Sequence, residues 1–259
     1  MKRNNYFHYS KFIKVANHFL STLIIILFSV TTSCKKTETK SPTSPTIPAN
    51  YKLPPVYNSS LTYGSMQDVE GNTYKTIKIG TQTWMAENLK TTKYKDGTAI
   101  PQSTTVAAWV AFKTGSYCVF ENVMEAKDIF GALYNWHAVS TGNLCPAGWH
   151  VPTDAEWTEL TFTLGGISMA GGKMKEAGQT HWELPNTDAT NSSGFTGLGS
   201  ATINNLGTFG DFGKYGIFWS STENNASNAW TRTISNNSGS IFRVDDNKGN
   251  GFCVRCMGD

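Results

Sequence analysis

The stretch LCPAGWHVPTDAEW, Leu144 to Trp157, packs a cysteine, a histidine, two carboxylates and two tryptophans into fourteen positions. Pro152 cannot continue a preceding helix, Thr153 can cap with its hydroxyl, and Glu156 stands three residues later. Thr153-x-x-Glu156 therefore reads as a capping box. Trp157, Leu160 and Leu164 then recur at three- and four-residue steps until Gly165-Gly166 ends the helix. Asp154 and Glu156 both fall in the first helical turn, where exposed amides and the positive end of the dipole favour negative charge. That accounts for both carboxylates. A metal site from His150, Asp154 and Glu156 has no second ligand cluster to support it, so none is expected.

Working outward, the N-terminal side reads as an address. Lys2, Arg3, Lys11 and Lys14 precede an apolar run from Phe19 to Val30, followed by Thr31-Thr32-Ser33-Cys34. This is a signal-peptide layout, and the run is too short for a permanent membrane span. Small residues before Cys34 resemble a bacterial lipobox, which implies lipidation of Cys34 and a membrane anchor. The signal would carry away four of the 22 Lys and Arg, leaving 18 against 19 Asp and Glu, a formal charge of −1. No basic patch remains, so no nucleic-acid partner is expected.

From Lys35 to about Tyr57 the chain holds five of its nine prolines, Pro42, Pro45, Pro48, Pro54 and Pro55. Such a segment favours extended, solvated conformations and reads as a tether. The organisation is then a signal over 1–33, a lipidated cysteine and tether over 34–60, and one domain over 61–259. That domain has few charges, many Gly, Asn, Ser and Thr, and eight Trp, so short strands and ordered loops must dominate, with aromatics supplying the core.

Within it, Tyr74, Thr76 and Lys78 alternate with Lys75, Ile77 and Ile79, predicting a strand in a hairpin with Gln82 to Leu89. Ile129, Ala132, Leu133, Trp136 and Val139 recur at helical spacing, predicting a helix between Ala126 and Ser140. Gly194 to Gly213 lacks the lysine and hydroxyl of a phosphate-binding loop and reads as an ordered loop. From Tyr215 the runs YGIFWSST, NAWTRTI, SIFRV and GFCVRC, separated by turn residues, read as an antiparallel meander.

The segments YKTIKIGTQTWMAENLKTTKYKDGTAIP, GALYNWHAVSTGNLCPAGWHVPTDAEWTEL, AGGKMKEAGQTHW, GFTGLGS, FWSSTENNASNAW and GFCVRCMGD resemble the Fibrobacter succinogenes major paralogous domain, over about Asp68 to Asp259. The resemblance implies an α+β, C-type lectin-like fold: two helices, a small twisted antiparallel sheet, long ordered loops, and N- and C-terminal strands side by side. It also implies a ligand surface on the last strands and loops. Here that surface would be built from Asn224, Asn225, Asn228, Trp230, Arg232, Asn236, Asn237, Arg243, Asp245, Asp246 and Asn247. Amides that donate and accept, beside a flat indole, suit an extracellular glycan or protein ligand. Asn also populates turns for its own backbone reasons, and Trp219 and Trp230 read as core at least as readily as site.

Calcium-dependent sugar binding is not implied. The Glu-Pro-Asn, Gln-Pro-Asp and Trp-Asn-Asp segments of such lectins are missing, and Glu183-Leu-Pro-Asn186 has an intervening residue. No cofactor is expected beyond weak Ca2+ binding at Asp245-Asp246-Asn247. Some proteins of this fold are diversified by retroelements in their last strands, and the Asn-rich C-terminal segment resembles that situation.

Beyond Cys34 there are four cysteines, Cys118, Cys145, Cys253 and Cys256, an even set in an exported chain, which suggests two disulfides. Three pairings are formally possible, and strand alternation disfavours Cys253 with Cys256. The resemblance implies Cys145 with Cys256, leaving Cys118 with Cys253. Formylglycine-generating enzymes share the broad fold and use a C-terminal cysteine pair, but the residues around Cys253-Val-Arg-Cys256 do not match. His137, His150 and His181 have no triad spacing. The expectation is a non-catalytic outer-membrane lipoprotein, facing the periplasm or the cell surface, that recognises an extracellular ligand in adhesion. An envelope scaffold without a small ligand is the second reading, and a thiol- or metal-dependent enzyme the third.

Overall fold

The computed structural model describes residues 49–259. The expected signal, Cys34 and the tether up to Pro48 lie outside them. In chain order the elements are β1 (Gly64–Gln67), β2 (Thr73–Ile79), β3 (Gln82–Met85), α1 (Val106–Ala111), β4 (Tyr117–Cys118), α2 (Met124–Phe130), β5 (Leu133–Asn135), α3 (Trp136–Val139) and β6 (Trp149–His150). They continue with α4 (Asp154–Thr163), α5 (Ile167–Met174), β7 (Ser200–Ile203), β8 (Phe209–Glu223), β9 (Asn228–Ser235), β10 (Ile241–Asn247), β11 (Gly251–Phe252) and β12 (Met257–Gly258). The architecture is mixed helix and sheet, with short helices and two antiparallel sheets ordered β1-β2-β3-β12-β6 and β10-β9-β8-β7-β11-β5-β4.

The hairpin forms where alternation places it, with Ile77 opposite Trp84. The capping box is complete: the Thr153 hydroxyl accepts from Glu156 N–H at 3.2 Å, and Glu156 accepts from Thr153 N–H at 2.7 Å. Trp157, Leu160 and Leu164 are buried. Trp157 packs 4.7 Å from Trp84 and 5.9 Å from Phe195, so the capped helix closes over the hairpin. The last strand shares a sheet with the first strands but lies beside β3 rather than beside β1, with Met257 opposite Trp84 on one side and His150 on the other. Arg255, wholly buried, fastens that closure by donating to Asn88 Oδ1 and to the carbonyls of Met85, Phe195 and Thr196 at 2.6 to 3.0 Å.

Several expectations are corrected. The helix between Ala126 and Ser140 is broken: α2 stops at Gly131, which takes φ 78°, and a Cβ there would meet Asn88 Cβ and the Leu89 carbonyl at 2.6 and 2.7 Å. The chain then enters the strand β5, whose three residues are all buried, so no alternation betrays it. The two-helix count is too low, because α1 and α5 are also present. α5 contains Gly171 and Gly172, poor helix formers that fit because the helix lies directly against the Ser240 carbonyl and the Asp188 backbone. The glycine-rich run Gly194 to Gly213 is not all loop: it holds β7, buried at every position, and the start of β8. GFCVRC does not extend the meander. β8, β9 and β10 are consecutive neighbours, but β11 crosses to lie between β7 and β5.

The packed domain also starts before Leu61. Tyr51, expected in the tether, is buried with its ring 4.7 Å from Phe212. The Leu53 carbonyl accepts from His181 Nε2 at 2.9 Å, and Val56 N–H donates to Glu176 at 2.6 Å. His181 and Glu176 are buried and paired with each other at 2.8 Å. A 3-10 turn over Ala49–Lys52 and the proline-containing chain after it therefore pack onto the domain.

Of the expected disulfides, Cys145–Cys256 is present and closes a loop of 111 residues. Cys118 and Cys253 are free, buried thiols. Cys253 instead lies 3.2 Å from both the Asn88 amide and the Ser200 hydroxyl.

Candidate binding surface on the last strands

Antiparallel register sorts the expected ligand residues into two faces. Asn228 opposes Asn247, Trp230 opposes Asp245 and Arg232 opposes Arg243, which puts these three pairs on one face of β9–β10. Ala229 with Asp246 and Thr231 with Val244 take the other. Toward the Ile234–Ile241 end, the first face is buried; toward Asn228 it is open.

On the open part, Asp245 Oδ2 accepts from the side-chain amides of Asn224 at 3.2 Å and Asn228 at 3.0 Å. The Asn228 hydrogen bond is the main cause holding the Asp245 carboxyl below its usual range. Next to it, the Arg243 guanidinium carbon lies 3.2 Å from the centroid of the half-buried Trp230 ring. Arg243 Nε donates to both Asp154 oxygens at 2.9 and 3.0 Å. Among the described residues its two terminal amino groups have no hydrogen-bond partner, and the side chain is 45 % exposed. Asp154 thus does more than complement the helix dipole: it joins the N-terminus of α4 to the β9–β10 face. Burial alone would raise its carboxyl, but hydrogen bonds and charge from Arg243 and Arg232 hold it below the usual range.

Arg232 is a correction. It is 3 % exposed and donates to the Asp154 carboxylate at 2.6 Å, the Asp154 carbonyl at 3.0 Å and the Thr158 hydroxyl at 3.0 Å, so it supports the surface from beneath. Asn225 accepts from Ser227 and Asn228 N–H groups, and Asn247 from Gly249 N–H, so both carboxamide oxygens shape turns. Asn236 and Asn237 sit at the opposite end of β9, where Asn236 donates to the Leu184 carbonyl and Asn237 accepts from Ser235. Asp246 points away from Asp245, accepts from Thr231 at 2.8 Å, and is raised by burial. Asp246 therefore faces away from Asp245 and Asn247, and the three side chains do not share one face, because neighbours on a strand face opposite ways. Trp219 is core, with no exposure.

His150 lies between Glu156 at 3.1 Å and Asp259 at 2.6 Å. Among the described residues no three His, Cys, Asp or Glu side chains are placed to hold a metal. Cys256 is in the disulfide, and burial pushes the Cys253 thiol up to about 11, away from the range of a reactive thiolate.

Sequence reasoning missed the Lys113, His137 and Lys248 groups, which border a cleft of about 550 Å3 next to this surface. Lys113 and His137 stand 24 residues apart and Lys248 more than a hundred residues beyond both, and no local spacing connects them.

A domain of this build, with its terminal strand locked beside the first hairpin and an open polar–aromatic face on its last strands, matches a family described as the Fibrobacter succinogenes major domain, over residues 77–257. The chain belongs to that family. No curated protein and no solved structure matches it.

Proposed function

We propose that the chain is a cell-envelope lipoprotein, anchored through Cys34, whose domain has a C-type lectin-like fold and binds an extracellular glycan or protein without catalysis. The fold reading is supported by the last strand, β12, joining the N-terminal sheet beside β3, and by the Cys145–Cys256 bond linking the approach to α4 with the residue before β12. One observation carries the binding reading. Arg243 is pinned through Nε and stacked on Trp230, so its terminal amino groups are presented, already oriented, beside the Asn224–Asp245–Asn228 cluster. A pre-positioned guanidinium loses less side-chain entropy on binding than a free one, and the indole adds stacking area. The scaffold reading is supported by exposed Phe242 and Val244 on the edge strand β10, beside Ile167. A glycan and surface-protein array, run with calcium and with a chelator, separates the two. Saturable binding lost in Arg243→Ala with an unchanged unfolding transition supports recognition; binding that survives Arg243→Ala overturns the assignment to this face.

A further inference from the structure

A cleft near the β9–β10 face lies between α1, α3 and the turns that close β7–β8, β8–β9 and β10–β11, with a volume of about 550 Å3. That volume is within the range of small-ligand sites. It is lined by Trp109, Phe112 and Leu206 on its apolar side, by Asn205, Ser227 and Asn247 on its polar side, and by Lys113, His137 and Lys248. No carboxylate is among the lining residues. Lys248 is partly engaged, donating to the Ala226 carbonyl at 3.0 Å and pairing with Glu223 at 2.9 Å, with its ammonium 4.7 Å from the Trp136 ring centroid. Lys113 is exposed, and its contact is a single long bond of 3.4 Å to the Val110 carbonyl. The half-buried His137 ring has no hydrogen-bond partner among the described residues.

We infer that this cleft binds a saccharide carrying an acidic group, with His137 and Lys113 meeting the anion and Asn205, Ser227 and Asn247 meeting hydroxyls. Lys248 is compensated by Glu223, but Lys113 and the unpartnered His137 imidazole face no carboxylate, and an anion supplies the missing partner. The exposed Leu206 and half-buried Phe112, backed by buried Trp109, suit the apolar face of a sugar ring. The inference deepens the proposed recognition function and rests on its premise that the domain binds a ligand, but it uses different side chains. Burial, then the charges of Lys248 and Lys113, lower the His137 pKa. A bound anion opposes that shift, so binding strengthens as pH falls through the His137 titration, with Lys113 and the Glu223-paired Lys248 as the charged groups around it.

The test is calorimetric titration of the full-length chain in detergent with glucuronate, glucose 6-sulfate and glucose, between pH 5 and pH 8. The expected result is binding of at least one acidic sugar about tenfold or more tighter than glucose, strengthening at lower pH. Lys113→Ala should weaken it about tenfold, and His137→Gln should abolish the pH dependence, both with unchanged unfolding midpoints. Which acidic sugar binds identifies the carboxylate or the sulfate as the source of the charge. Equal binding of glucose, or no binding of any of the three, overturns the inference. If Arg243→Ala removes the binding while the Lys113 and His137 variants keep it, the cleft is wrong and the strand face stands. The reverse outcome keeps the cleft and removes the strand face.

Discussion

The Arg243 guanidinium carbon lies over Trp230, 3.2 Å from its ring centroid, while its Nε holds the Asp154 carboxylate that buried Arg232 also holds. One carboxylate thus couples a surface arginine to a core arginine, and the two should respond differently to removal. Arg232→Ala takes away the buried donor to Asp154 and Thr158, and should cost about 3 kcal/mol or more of stability. Arg243→Ala removes a partly exposed pair and should cost about 1 kcal/mol or less. Denaturant unfolding of the two variants checks the difference; equal losses would place Arg243 in the core rather than in a site.

The Cys145–Cys256 bond closes a loop of 111 residues, for which the chain-entropy treatment gives about 4 to 5 kcal/mol. Replacing both cysteines by serine should lower the unfolding free energy by that order. A shift near zero would mean that Arg255 and the strand pairing of Met257 suffice to hold the C-terminus.

Beyond Cys34, two cysteines should remain thiols in the mature protein, Cys118 and Cys253. Both are buried, and burial raises both thiol pKa values. A thiol reagent at neutral pH should leave them unmodified in the folded state, and should modify both once the chain is unfolded without reductant. Finding no reactive thiol after unfolding would indicate a second disulfide.

His150 carries a pH dependence. Burial by itself lowers its pKa, but the hydrogen bond to Asp259 and the charge and bond of Glu156 outweigh this and raise it above the usual value of 6.5. A raised folded-state pKa contributes stability that is fully present below the unfolded value and is lost as pH rises through the folded one. The wild type should therefore exceed His150→Gln in stability by more at pH 5 than at pH 8.5, by a modest margin because the side chain is 35 % exposed. An advantage that grows with pH would contradict the assignment.

Thr153→Ala removes half of the capping box and should cost about 1 kcal/mol. Loss well beyond that would show that Thr153 also fixes the approach of α4 to the β9–β10 face.

What the sequence disclosed was local. The capping box needs only Thr153 and Glu156, and the hairpin only the alternation of Tyr74 to Ile79, so both are readable from short windows. The break at Gly131 arises from contact with Asn88 and Leu89 some forty residues earlier, and β5 and β7 are buried on both faces, so neither leaves a period to read. The proposed binding face was half legible. Trp230, Arg243, Asp245, Asn224 and Asn228 do come together, but composition could not tell them from Asn225 and Asn247, which shape turns, or from Arg232, which is buried. Lys113 and His137 were invisible as a pair because only the tertiary fold brings α1 to α3 and the strand turns.

The central claim is that ligand is met by the Trp230–Arg243 stack, and the most direct measurement is array binding by the wild-type chain and by Trp230→Ala in parallel. The wild-type signal should be saturable and should fall at least tenfold in Trp230→Ala while the unfolding midpoint changes little. A correctly folded wild type that binds nothing, or a variant that binds as well as the wild type, would contradict it.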